Sequence, residues 1–493
     1  MPTFAHGIAS GDPLADRVVI WTRVTTDQPE VEVTWTVARD PGLTDVVASG
    51  SAVAVADGDH TVHVDVSGLE PATAYHYGFT RDSEASPVGR TRTLPGPGAT
   101  HVRLATVSCA KYNAGYFNGY GRIADRNDLD VVLHLGDYIY EAANKPPPSQ
   151  TPGAGIGRDF VPDDECFTLL DYRQRYAHYH LDLDVQRLHA AHPIVSTIDD
   201  HELADGAWRG GAVEHREDRD GPWPDRVALA LQARWEWLPL RKPDPADPSR
   251  VYTSHSLGGL ARLALIDTRS RRDEPGVGDP AARTALGAEQ RDWLLGEIAA
   301  HDEPWLLLGN SSVLGHTWSD GIDSAALPAL REQKLIAWTE DGPDVDQWDG
   351  YPAERDVLLD AFASRGDVVV LSGDVHVALA IELKHDPDAA QERPAGVEFV
   401  TASLTSQNLD EKMRWPPKTR SLDIEREFVQ AVPNIRWCDL DSHGYVVVDV
   451  VPERVTAQWW FVDTLLERHA GERLGATWSV ERGTARLVPG GEG

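Results

Sequence analysis

The chain has 493 residues, 41% of them apolar and 25% charged, a globular composition with room for about three domains. Asp+Glu number 78 against 46 Lys+Arg, a net charge of -32 that speaks against non-specific binding to nucleic acid or an anionic membrane. No apolar run approaches the roughly 18 residues of a bilayer-spanning helix, so no membrane insertion is expected. An anionic substrate would need local positive charge, and bound cations are the obvious supply. Cys109, Cys166 and Cys438 do not make a disulfide framework, although one pair could form. The chain opens Met-Pro-Thr-Phe without a basic or apolar leader. Two expectations follow: a cytoplasmic protein, or an exported one whose leader was cleaved.

Residues 18–24, 31–37 and 60–66 alternate apolar and polar side chains between Gly, Pro and Asp, as in an antiparallel β-sandwich. The stretch around Leu69, Pro71 and Tyr75 looks like the tyrosine corner of fibronectin-type domains, in which a buried Tyr bonds back to upstream backbone. Residues 94–98 (Leu-Pro-Gly-Pro-Gly) read as a linker. The expected division is a β-sandwich domain at 1–95 and a catalytic domain at 99–493. The first carries no catalytic cluster and reads as a packing or gating module.

From His101 the pattern becomes strand, loop, helix. Residues 102–107 form an apolar strand ending in Ser108-Cys109, and a helical stretch at 119–126 leads to a strand ending in Gly136-Asp137 with Tyr140 three residues on. This βαβ unit predicts Cys109 and Asp137 at strand ends of one sheet, where open α/β folds bind ligands. Residues 144–164, rich in Pro and Gly, are predicted as a lid. Later strands end in Asp199-Asp200-His201-Glu202, Asp267-Thr268-Arg269, Gly309-Asn310 and Gly373-Asp374-Val375-His376. Helices at 226–238 and 289–299 read as scaffold, with Trp235 and Trp237 as core. Residues 444–451 and 455–460 read as a closing hairpin. Six strands ending in charged or metal-capable groups predict convergence on one site.

The chemistry follows from the donor types. Cys109, Asp137 and Tyr140 are anionic ligands when deprotonated and His376 is a neutral one, a set suited to iron(III). Asp137 could bridge to a second cation held by the oxygens of Asp200, Asp205 and Asn310, as calcium, magnesium or manganese prefers. Asp374 is carried as a further ligand. Two cations clamp the oxygens of a phosphoryl transfer and generate hydroxide near neutral pH. His201, with Asp200 beside it, is the candidate for assisting departure of the alcohol. Asp267 and Arg269 read as a structural ion pair, with Arg269 also carried as a catalytic candidate. Cys166 and Cys438 read as inert, and His316 and His443 as loop residues without clear partners.

These motifs resemble the PhoD-like alkaline phosphatases, within the calcineurin-like metallophosphoesterases, over nearly the whole chain. Residues 4–13 and 19–23 look like the N-terminal domain. Ser108-Cys109, Gly136 to Glu141, Asp199 to Glu202 and Gly373 to His376 look like the catalytic motifs. The Gly136–Tyr140 spacing is also that of purple acid phosphatases, where the tyrosine binds iron(III). The resemblance implies a four-layer αββα sandwich behind a small fibronectin- or immunoglobulin-like domain. It implies one Fe(3+) and two Ca(2+), and hydrolysis of phosphate monoesters and diesters. Carried over by motif, Cys109, Tyr140 and His376 hold iron, Asp137 bridges, Asp200 binds calcium and Asp374 lies at the centre. Where members often carry Asn-Asn, this chain has Asp205-Gly206, and it shows no twin-arginine leader. The rival expectations are a diesterase of phospholipase D-like specificity and a non-catalytic metal-binding or adhesion protein.

Overall fold

The computed structural model describes residues 2–144, 155–300, 302–317 and 345–490. Residues 145–154, the first half of the stretch expected to form a lid, lie outside the described residues.

In chain order the strands are β1 (Ile8–Gly11), β2 (Arg17–Arg23), β3 (Glu30–Ala38), β4 (Val46–Val55), β5 (Thr61–Ser67), β6 (Ala74–Arg81), β7 (Glu84–Ala85), β8 (Gly89–Arg92), β9 (Val102–Val107), β10 (Val131–His134) and β11 (Pro193–Ser196). Then come β12 (Thr253–Leu257), β13 (Ala261–Leu265), β14 (Trp305–Gly309), β15 (Val368–Ser372), β16 (Ala378–Leu383), β17 (Gly396–Val400), β18 (Ile435–Asp439), β19 (Gly444–Val451), β20 (Arg454–Val462), β21 (Glu472–Glu481) and β22 (Leu487–Pro489). Among the described residues they form three sheets. The largest has the order β22-β21-β20-β19-β9-β10-β11-β1-β2-β5, and the second β12-β13-β14-β15-β17-β16-β18. The third is β4-β3-β6-β7, with β8 also on β6. The neighbours β9, β10, β11 and β1 run parallel, as do β13, β14, β15 and β17.

Near-continuous apolar runs let a strand bury both faces. Leu104, Leu133, Val446 and Val448 of the largest sheet share a core with Leu263, Leu307, Leu371 and Val397 of the second, so these sheets pack face to face. The opposite face of the largest sheet (Ala105, Val107, Val132, Val447) is covered by α1 (Asn118–Asp125), α2 (Leu169–His180), α3 (Leu183–Ala191) and α4 (Trp223–Trp237). Leu294, Ile298, Leu358 and Phe362, from α5 (Gly287–Ala300) and α6 (Pro352–Arg365), cover the outer face of the second sheet. Each such side chain contributes roughly 1.5–3 kcal/mol when fully buried. That packing holds the strand ends in fixed relation.

In the N-terminal region the third sheet packs on the β2–β5 end of the largest sheet. Val33, Val37, Tyr77 and Phe79 meet Val18, Ile20, Val62 and Val66. Tyr75 Oη accepts the Glu70 N–H at 2.9 Å, the corner bond expected from the sequence. The region is also continuous with the rest of the chain. β1 pairs in parallel with β11, and Trp21 Nε1 donates to the Glu236 carbonyl at 2.8 Å. The physical reason is that β11 would otherwise present an open sheet edge beside the site. The β19–β20 hairpin forms as predicted. Cys109, Cys166 and Cys438 are free and buried, so no pair is made.

Candidate metal centre

The ends of β9, β10, β11, β13 and β15 carry the residues of the site. Three loops leave the largest sheet and two leave the second, and they meet where the sheets face each other. Ligand atoms of Cys109, Asp137 and His376 all lie within 4.8 Å of one another. The same holds for Asp137, Asp200 and His201, and for Asp199, Asp200 and Asp374. Asp137 and Asp200 each belong to two groups, so the three form one continuous cluster.

The backbone is unusual at these positions. Cys109, Asp137, Asp374 and His376 have φ of 58, 56, 66 and 60°, left-handed conformations that non-glycine residues rarely adopt. Each costs roughly 1–3 kcal/mol and survives only where the surroundings over-determine it, typically at functional sites.

Hydrogen bonds hold each group. Tyr140 Oη donates to Asp137 Oδ2 at 2.7 Å, accepts from Ser406 Oγ at 2.6 Å and lies 3.5 Å from His376 Nε2. His376 Nδ1 bonds the Gln407 carbonyl at 3.0 Å, which as a donor leaves Nε2 bare toward the cluster. Burial holds this imidazole well below its ordinary pKa, helped by Lys412 and Lys111, so it stays a neutral donor. Burial pushes the Cys109 thiol and the Tyr140 phenol well up, and Asp137 adds to both. Burial also raises Asp137 well above the carboxylate range; His201 opposes this, and Asp200, Glu202 and Asp374 add to it. Such a set of anionic groups packed together calls for cations.

His201 is oriented by Glu141, whose Oε2 meets Nδ1 at 2.7 Å. Nε2 is therefore the nitrogen turned away from Glu141. Burial disfavours the imidazolium, yet Glu141, Asp137 and Asp200 outweigh it and hold the pKa well above normal. Arg269, fully buried, donates Nε to Asp199, Nη1 to Asp346 at 2.9 Å and Nη2 to Asp374 at 2.7 Å. The expected Asp267–Arg269 ion pair is corrected: Asp267 Oδ1 caps the backbone N–H groups of Arg269 and Ser270. The guanidinium instead turns to the richer cluster of carboxylates.

Asp205 is exposed and, among the described residues, joins none of the three groups; its N–H donates to Glu141 at 2.8 Å. Asn310 is buried beyond β14, with its amide on Trp348 and Ser312. His316 and His443 do have partners, contrary to expectation. His316 sits 3.2 Å from Asp349, and His443 meets Ser403 at 3.0 Å and Glu411 at 3.2 Å.

Several residues were not singled out from the sequence. Glu202 accepts from the backbone N–H groups of Asp137 (2.9 Å), Tyr138 (2.6 Å) and Asp199 (2.7 Å), tying two ligand loops together. Glu141, Asp199, Ser406 and Asp346 act similarly through side chains. For Glu141, Asp199 and Glu202 a signal existed, since they flank the chosen ligands in the same motifs. Ser406 and Asp346 gave none.

A family model for PhoD-like phosphatase matches residues 104–459, and one for the N-terminal domain of that family matches residues 1–95. Alkaline phosphatase D of Bacillus subtilis (strain 168) is 33% identical over 480 residues, covering 92% of this chain and 77% of its own length. A solved structure of PhoD superposes with a TM-score of 0.86 at 32% identity, covering 99% of this chain and 92% of that one. Purple acid phosphatase from yellow lupin (Lupinus luteus) seeds shares the fold, with a TM-score of 0.56 at 13% identity over 97% of this chain and 74% of that one. Model, relative and fold agree with the clustered donors: the chain belongs to the PhoD-like phosphatase family and is a metal-dependent phosphoric ester hydrolase.

Proposed function

We propose that the chain hydrolyses phosphate monoesters and diesters at a centre of one iron(III) and calcium. In this reading the fold is the four-layer αββα sandwich of metallophosphoesterases, with a fibronectin-like module at residues 1–95 and the catalytic domain from 99 onward. The observation that carries it is the sharing of Asp137 and Asp200 among three donor groups. Cys109, Tyr140 and Asp137 with His376 give a thiol, a phenol, a carboxyl and an imidazole, which suit a trivalent ion. Asp137, Asp199, Asp200 and Asp374 give oxygens alone, which suit calcium.

Bound there, the cations polarise phosphoryl oxygens and bring the pKa of water near neutrality. The chain's own groups do the rest. His201, kept protonated by Glu141, gives its proton to the departing alcohol oxygen. Arg269 is a positioning residue, because its nitrogens are spent on Asp199, Asp346 and Asp374. Glu202 fixes Asp137 and Asp199 relative to each other.

Phenolate bound to ferric iron absorbs visible light. The protein isolated with iron is expected to be coloured, and Tyr140→Phe to lose the band. A colourless, iron-free preparation that turned over substrate fully would remove iron from the proposal.

A further inference from the structure

A cavity of about 580 Å³ lies against one face of α4, within the roughly 300–1,000 Å³ typical of small-molecule sites. Trp223, Val227, Leu231 and Trp235 wall it, and among the described residues Arg209 and Arg271 are the charged ones that line it. None of its lining residues belongs to the three metal groups. Among the described residues no carboxylate lines it, although the chain carries a net charge of -32.

The sequence reading made Trp235 and Trp237 core. Trp237 is, but Trp235 is only half-buried and faces this space. The walls are braced from behind. Trp235 stacks on His63 of β5, with centroids 4.8 Å apart and planes at 10°. Trp223 Nε1 donates to the Trp208 carbonyl at 2.9 Å. Asp273 holds Arg209 at 2.6 Å, and Asp247 and Glu289 hold Arg271 at 3.3 and 3.7 Å. A cavity fixed in this way is preformed, which lowers the ordering cost of binding.

The guanidinium groups of Arg209 and Arg271 make the lining positive, and the half-buried Trp235 gives it a flat apolar wall. An arginine beside an indole selects an anion carried on a flat apolar body.

We propose that this cavity binds an organic anion with an aromatic body, its ring against Trp235 and its acidic head at Arg271. The site does not depend on the reading of the metal centre.

The test is calorimetric titration of the metal-loaded enzyme with 1-naphthalenesulfonate. One saturable site with micromolar affinity is expected. Arg271→Gln should weaken it at least tenfold, because the charged hydrogen bond to the acidic head is lost. Val227→Trp, which fills the space, should abolish binding while hydrolysis of p-nitrophenyl phosphate continues unchanged. Octanesulfonate and 2-naphthalenemethanol should both bind more weakly, one lacking the ring and the other the charge. Absence of saturable heat at millimolar ligand would overturn the proposal, as would binding untouched by both substitutions. Displacement by inorganic phosphate would also overturn it, by placing the ligand at the metal centre.

Discussion

Asp137→Asn is expected to lower kcat/KM for a phosphate ester by about 10³-fold or more, a loss of roughly 4 kcal/mol in transition-state stabilisation. Asp137 sits in two of the three donor groups and receives the Tyr140 hydroxyl and the His201 N–H. An amide keeps the shape but removes the charge and one acceptor oxygen, so it cannot join two cations. Stability should move the other way. In the metal-free protein, burial and neighbouring carboxylates raise the Asp137 pKa in the folded state. A raised carboxyl pKa means that the ionised group destabilises the fold. That penalty appears above the pKa of the unfolded chain and grows with pH until the folded pKa is passed. Metal-free Asp137→Asn should therefore unfold at a denaturant concentration equal to or above that of metal-free wild type at pH 7. Steady-state kinetics, metal content by mass spectrometry and urea unfolding test the three parts. Near-wild-type turnover with the metals retained would refute the bridging role.

Glu202→Gln should lose both stability and activity. One carboxylate accepts three buried backbone N–H groups, from the loop after β10 and from the loop after β11. In the amide one oxygen becomes a donor that points at a donor. Leaving one or two buried N–H groups unsatisfied costs about 1–3 kcal/mol each. Those groups also hold Asp137 in its left-handed conformation, so the donor clusters loosen and metal affinity falls. The expected result is about 3 kcal/mol less stability with activity down at least tenfold, the scale of losses when support behind a ligand is removed. A variant within about 0.5 kcal/mol of wild type would show that the two loops are fixed by other contacts. Compared with Asp137→Asn, this substitution separates what builds the site from what works in it.

Strand ends were legible because apolar runs stop abruptly at Asp, Cys or His. Cys109, Asp137, Asp200, Asp374 and His376 were chosen on that basis, and the structure gathers them. Their distribution over two sheets was not legible. β9, β10 and β11 belong to one, and β13, β14 and β15 to the other, yet all six runs look alike because each strand is buried on both faces. Face-to-face packing depends on long-range contacts that no local period records. The same limit explains Arg269. Two residues from Asp267, it looked locally paired, but the carboxylates that take its nitrogens are Asp199, Asp346 and Asp374. Trp235 shows the converse error. Helical spacing placed it on a buried face, and the cavity beside it is formed by segments distant in the chain.

The most direct measurement is the rate of p-nitrophenyl phosphate hydrolysis after the metals are removed by chelation and the chelator is then removed. The stripped protein should keep its circular dichroism spectrum, retain less than about 1% of its activity, and recover when iron and calcium are returned. Full turnover by folded, metal-free protein would contradict the claim that these clustered side chains act by holding cations.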